Sequence, residues 1–219
     1  MEISPRAARA SRVFAWVMAV AGTVIGQIHA LARFVAHPDD LVESPLAGVW
    51  AVPATQVLQP LLDWSDPWTV YVTYGKIWVL VGVAILAAAH LVYRRRRPRG
   101  AERRLWQVQL GAYLVMTVSV FGDYVTPWWM EQMFIVGIAA VLVIGVGGPA
   151  LGIVMVRNGF RPRATPILLI AFLPLLVVIT SVTALGSALL PLLWAWAVAA
   201  QTAAHAEPSG VQHPAALRT

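Results

Sequence analysis

Apolar residues fill five long blocks of this chain, at about 13–34, 70–93, 105–125, 133–156 and 165–190, and polar residues collect in the gaps between them. A hydrocarbon layer about 30 Å thick takes roughly 20 residues of helix to cross. Lipid offers no partner to backbone N–H and C=O groups, so a helix, which satisfies them internally, is the predicted form of each block. The pattern predicts an all-α polytopic membrane protein, a five-span helical bundle.

Two stretches fit this scheme less simply. Residues Leu41 to Asp66 are moderately apolar but are interrupted by Pro45, Pro53 and Pro60, each of which removes a backbone donor. A proline-broken interfacial or re-entrant segment is expected there, and Trp50, Trp64 and Trp68 suit the headgroup level. The last apolar stretch, from Thr165 to about Ala200, is too long for one crossing and too short for two with a turn. One crossing to Leu190 is expected, then a bend at Pro191 and an interfacial piece bearing Trp194 and Trp196. Residues 201–219 carry Pro, Gly, Ser and Ala and read as a flexible polar tail.

Charge supplies an orientation. The chain is 59% hydrophobic and 12% charged, with a net charge of +6 and a mean hydropathy of +0.71. Its arginines gather in Arg6, Arg9 and Arg12, in Arg94 to Arg97 with Arg99, Arg103 and Arg104, and in Arg157, Arg161 and Arg163. Each cluster flanks a span, so the basic excess reads as a topology signal with attraction to anionic lipid and not as a nucleic-acid surface. Basic ends facing inward place the N-terminus in the cytoplasm and, with five spans, the C-terminus outside. Short loops and an alanine- and arginine-rich composition suit a bacterial plasma (inner) membrane. The N-terminal apolar run is too long for a signal-peptide core and is expected to stay as the first span. The chain has no cysteine, which excludes disulfides, thiolate chemistry and Cys-ligated metals.

Ionisable side chains within spans are costly and rare, so they are the first candidates for function. His29 and Arg33 lie one turn apart on the first span, Lys76 begins the second, Asp123 closes the third and Glu131 precedes the fourth. All fall at one depth near the outer surface. With Trp128 they form a candidate ligand-binding pocket that would grip an anionic group through its basic members, with Asp123 orienting them or accepting a proton. The plainer explanation is that such boundary charges snorkel to water or pair with one another. No metal and no cofactor are expected: His90 sits at the opposite depth from His29, and His37, His205 and His213 lack ligand spacing.

Gly22 and Gly26, and Gly148 and Gly152, are small-xxx-small pairs that permit close helix approach. The run Gly145-Val146-Gly147-Gly148-Pro149 is expected to kink or locally unwind the fourth span.

These features favour a noncatalytic membrane protein, either an accessory subunit of a membrane complex or a binder of a lipid or hydrophobic ligand at the outward-facing pocket. The expected partners are membrane lipids and other membrane subunits or further copies of the chain, with no nucleic acid. A transporter or channel component working as an oligomer is the alternative. A lipid-modifying enzyme using Asp123 and His29 as base and acid is the third.

Overall fold

The structure, a computed structural model, describes residues 3–43 and 45–205, and the described residues form helices and connecting turns only. The chain runs through α1 (Pro5–Ala36), α2 (Asp39–Glu43), α3 (Pro45–Val57), α4 (Gln59–Leu62), α5 (Pro67–Gly75), α6 (Ile77–Arg96), α7 (Gly100–Val125), α8 (Met130–Arg157), α9 (Ala164–Ile170), α10 (Phe172–Val182) and α11 (Leu190–His205). Short 3₁₀ turns, Pro127–Trp129 and Leu185–Leu189, precede α8 and α11. Five segments are long and apolar enough to cross a membrane: Pro5–Ala36, Pro67–Arg96, Gly100–Val125, Met130–Arg157 and Leu185–Ala203. The chain is an all-α multi-pass membrane bundle.

Local chemistry sets several of the helix ends. Ser4 caps α1 by accepting from the Ala7 N–H, and Pro5 takes the first position, where a missing donor costs nothing. Asp66 accepts from the Thr69 N–H at 3.0 Å and caps α5, a bond that holds its carboxyl below the ordinary carboxylate range. Pro45, Pro60 and Pro67 likewise sit at or next to helix starts, so most of the prolines in the broken segment initiate short helices. At the end of α8 the Phe160 N–H bonds to the Met155 carbonyl and the Gly159 N–H to Val156, a closure that requires the left-handed backbone Gly159 adopts at φ 65°.

Packing is graded across the bundle. In the most apolar windows, 61% of residues are buried for both Pro67–Arg96 and Leu185–Ala203, against 28% for Met130–Arg157. The α6 and α11 segments are therefore central and α8 is peripheral. Trp78, Trp106, Trp196 and Tyr113 are the large side chains of the main core. Val13, Val17, Val20 and Val24 stand exposed along one stripe of α1, the arrangement expected of a lipid-facing surface. A second, smaller core of Leu31, Ala32, Phe34, Ala47, Ala51, Leu62 and Val70 holds the short helices α3 and α4 against α1 and α5. Trp50 adds a tie across the bundle, donating from Nε1 to the Val182 carbonyl at 2.7 Å.

The last apolar stretch departs from the expectation of one crossing over 165–190. Helices α9 and α10 form a pair bent by 69°, and the fifth long apolar segment is Leu185–Ala203. Pro174 explains the bend, because it cannot donate to the Ile170 carbonyl and its ring crowds that group, so α9 stops there. The second break follows a run in which Thr180, Ser181 and Thr183 bond back to carbonyls of their own helix, and the backbone turns extended at Ala184. Pro191 falls in the first turn of α11, where proline is tolerated, and starts a helix instead of bending one. Trp194 and Trp196 are accordingly core residues: Trp196 is fully buried and donates to the Tyr113 hydroxyl, and Trp194 donates to Thr23. Leu185–Ala203 takes 19 residues, roughly 28 Å of helix, and the bent pair, its reach shortened by the 69° angle, leads from α8 into it through a very short turn.

This rearrangement moves the end of the chain. Arg95 donates to the Ala203 carbonyl at 2.6 Å, and Ile3, Ala199 and Ala203 border the same hollow as the Arg94–Arg97 run. The last described turn therefore lies at the arginine end of the bundle, beside the start of α1, and not at the opposite end as predicted. The tail expected from residue 201 is helical to His205, and residues 206–219 lie outside those described. The glycine-rich run of α8 also stays helical, with Pro149 inside it. Its glycines receive neighbours: a Cβ at Gly145 would meet Leu173, and one at Gly152 would lie 2.7 Å from the Pro166 carbonyl.

Glycines on two elements make room for one indole. A Cβ at Gly26 would sit 2.6 Å from the Trp78 ring, and a Cβ at Gly186 would meet the same ring, which has no direction in which to retreat. Gly111, exposed on α7, faces open space. Gly26→Ala is expected to lower stability in detergent unfolding by about 1–3 kcal/mol through overpacking, whereas Gly111→Ala raises it by up to roughly 1 kcal/mol through helix propensity. Equal effects of the two substitutions would contradict the socket around Trp78.

Candidate functional site

At the end of the bundle away from the arginine run, a cavity of about 700 Å³ opens between α1, α5, α7, α8 and the 3₁₀ turn Leu185–Leu189. That volume is in the range of small-molecule sites. Its mouth is polar, with Arg33, His37, Asp40, Asp123 and Glu131, and its deeper wall is apolar, with Met116, Phe134, Ile138, Val141 and Leu189.

His29 forms one side of the cavity and is 1% exposed. The Trp78 indole donates from Nε1 to His29 Nδ1 at 3.0 Å, and the Tyr124 hydroxyl lies 3.1 Å from His29 Nε2. An indole N–H can only donate, so Nδ1 must be the unprotonated nitrogen. The imidazole that keeps this bond is the neutral Nε2–H tautomer, donating to the Tyr124 oxygen. Tyr71 stacks on the ring with centroids 5.0 Å apart, and its hydroxyl lies 3.5 Å from that of Tyr124. Both imidazole nitrogens are occupied, and no hydrogen bond joins His29 to Asp123. The arrangement builds a rigid polar wall and does not present a free acid–base pair.

The glycines serve this cluster. Gly26, one turn before His29, and Gly186 admit the Trp78 ring, while the Tyr124 ring packs directly on Gly75. Gly22 receives Val81 and Leu190, so the first small-xxx-small pair faces α6 and the α11 segment. Gly148 and Gly152 receive carbonyls of α9.

One turn beyond His29, Arg33 donates from Nε to Asp40 at 2.7 Å, clamping α1 to α2 across the turn at His37. The pair is partly exposed, so its worth to stability is modest, but it neutralises the guanidinium that faces the cavity. Asp123 makes no hydrogen bond or ion pair among the described residues, and Glu131 is exposed in the first turn of α8. One guanidinium therefore faces three carboxylates.

Of the residues expected to form a pocket, the fold brings together His29, Arg33, Asp123, Glu131 and Trp128. Lys76 does not join them: it is exposed at the junction of α5 and α6 and lies outside the cavity lining. Without Lys76, with Arg33 paired and with His29 neutral, the site lacks the surplus of positive charge that an anion would need. His37, Asp40, Tyr71, Trp78 and Tyr124 belong to the site and were not anticipated. A histidine one turn after a glycine in an apolar span was the available signal, since a buried imidazole needs partners and room for them.

Comparison with protein-family models, curated proteins and solved structures finds no match to this chain.

The hydrogen-bonded cluster makes a coupling prediction. Trp78→Phe leaves His29 Nδ1 buried without a donor and is expected to cost about 1–3 kcal/mol beyond the small loss of packing. In a His29→Leu background the same substitution should cost at least about 1 kcal/mol less, because the acceptor is already gone. Additive losses in a double-mutant cycle of detergent unfolding would show that the bond carries no energy.

Proposed function

We propose that this chain is a noncatalytic membrane protein that binds an amphiphile, holding its polar head at the acidic mouth and its apolar part against α7 and α8. The carrying observation is the unpaired Asp123 carboxylate above an apolar wall in a cavity of about 700 Å³. A carboxylate in that position favours a head that donates hydrogen bonds or carries positive charge, and the surrounding carboxylates disfavour an anionic one. Phe134 and Ile138 line the cavity and are also exposed at the surface of α8, which supports entry of the apolar part from the lipid side. The positive-inside rule supports a bacterial plasma membrane orientation with the arginine end in the cytoplasm and this cavity at the outer leaflet.

Dodecylamine and dodecanoate, equal in chain length and opposite in charge, separate the two signs of head. With the protein in phosphatidylcholine nanodiscs, saturable binding of radiolabelled dodecylamine above empty nanodiscs is expected, with dodecanoate binding at least tenfold more weakly. Asp123→Asn should weaken dodecylamine by about tenfold or more, the loss of a charge-assisted contact worth roughly 1.5–3 kcal/mol, while the unfolding midpoint stays near wild type. Preference for dodecanoate, or indifference to Asp123→Asn, would refute the assignment.

A further inference from the structure

The opposite end of the bundle holds a second hollow, of about 1190 Å³, lined by the Arg94–Arg97 run, Arg99, Arg103 and Arg161, with an apolar floor that includes Ile3, Val92 and Ala199. Three separate stretches contribute: the end of α6, the start of α7 and the loop after α8. Such a concentration of guanidinium groups repels itself unless an anion or high salt screens it. The carboxylate nearest to hand does not do so. Glu102 is buried and already bonded by Arg96, by Asn158 at 2.6 Å and by Trp106. Arg96 is further occupied by the Phe160 ring, 5.1 Å from its guanidinium carbon. That paired core fixes the floor of the hollow. Around it, the side chains of Arg99, Arg103 and Arg161 are exposed and make no hydrogen bond or ion pair among the described residues. Helix α7 also begins without a side-chain cap, so the N–H groups of its first turn add to the positive potential.

We infer that this hollow is a site for a phosphate-bearing polyanion, and that its source is the headgroup of an anionic lipid of the adjoining leaflet. Guanidinium groups match phosphate oxygens in bidentate fashion, and several of them exceed what one phosphodiester neutralises, which favours a head with two phosphates. The apolar part of the lining decides for lipid over a free ion: Ile3, Tyr93 and Pro98 are partly exposed there and offer contact to glycerol and upper acyl carbons and nothing to inorganic phosphate. Basic pockets between spanning helices are physically suited to such headgroups. The site is independent of the amphiphile cavity at the other end.

Native mass spectrometry of the full chain in neutral detergent tests this with diphosphatidylglycerol, phosphatidylcholine of matched chains, and inorganic pyrophosphate. Diphosphatidylglycerol is expected to bind at least tenfold more tightly than phosphatidylcholine. The triple variant Arg99→Gln, Arg103→Gln, Arg161→Gln should lose tenfold or more, whereas Arg6→Gln, Arg9→Gln, Arg12→Gln, which removes equal charge from α1 outside the hollow, should stay within twofold. Arg161→Gln alone, in a loop, keeps the test open should the triple variant not fold, and about a threefold loss is expected of it. Equal losses in the two triple variants, or no loss from Arg161→Gln, would reduce the site to nonspecific surface charge and overturn the proposal. Pyrophosphate binding as tightly as the lipid would overturn the lipid source.

Discussion

The bond from the Trp78 indole to His29 holds together the half of the bundle that carries the cavity. It joins α1 to the central α6, and through Tyr124 and Tyr71 it reaches α7 and α5. A buried imidazole has two nitrogens to satisfy, and in a water-poor interior only protein groups can satisfy them. Close approach is possible because Gly26, Gly75 and Gly186 present no side chain where the two aromatic rings must lie. A methyl group at any of these positions would push a ring away from the imidazole. Packing and hydrogen bonding thus impose one another, which is the usual reason a polar cluster in a core specifies a single arrangement.

The character of the cavity follows from this joint. A neutral His29 contributes no charge, and Asp40 offsets Arg33, so Asp123 and Glu131 decide the sign of the mouth. At the other end the balance is reversed, with arginines from three stretches around one buried carboxylate. The two ends of the molecule are therefore electrostatically opposite, and each hollow pairs a charged rim with an apolar interior. Such a layout suits molecules that are themselves part polar and part apolar, taken at opposite surfaces of a bilayer.

Much of the fold was legible in the chain, for a plain reason: lipid forces long apolar runs, and such runs survive almost any reading. The first four spans and the interruptions at Pro45 and Pro60 follow from that constraint, whereas Pro53, expected to be a break as well, lies inside α3 and leaves it continuous. The last stretch did not follow, because Pro174 and Pro191 look alike in sequence and act differently. Pro174 falls where it denies Ile170 a donor and breaks the helix, and Pro191 falls in a first turn and begins one. His29, Arg33 and Asp123 could be picked out because ionisable groups are conspicuous in apolar spans. Trp78, Tyr71 and Tyr124 could not, since an aromatic residue facing an imidazole and one facing lipid have the same sequence surroundings. Lys76 failed for the converse reason: depth along a helix is readable from position, but the direction of the side chain depends on packing. Gly26 was noticed as a helix-packing glycine, and its neighbour proved to be an indole ring.

Nitrogen NMR of the chain labelled with ¹⁵N-histidine, at neutral pH in a lipid or detergent environment, reads the His29 joint directly, with the signal assigned by its disappearance in His29→Gln. The structure requires Nε2 to carry the proton and Nδ1 to resonate as an unprotonated nitrogen hydrogen-bonded by the Trp78 indole, with a shift of that signal in Trp78→Phe. A proton on Nδ1, or no response to Trp78→Phe, would mean that the indole does not donate to this ring and that the packing of α1 against α6 differs from that described.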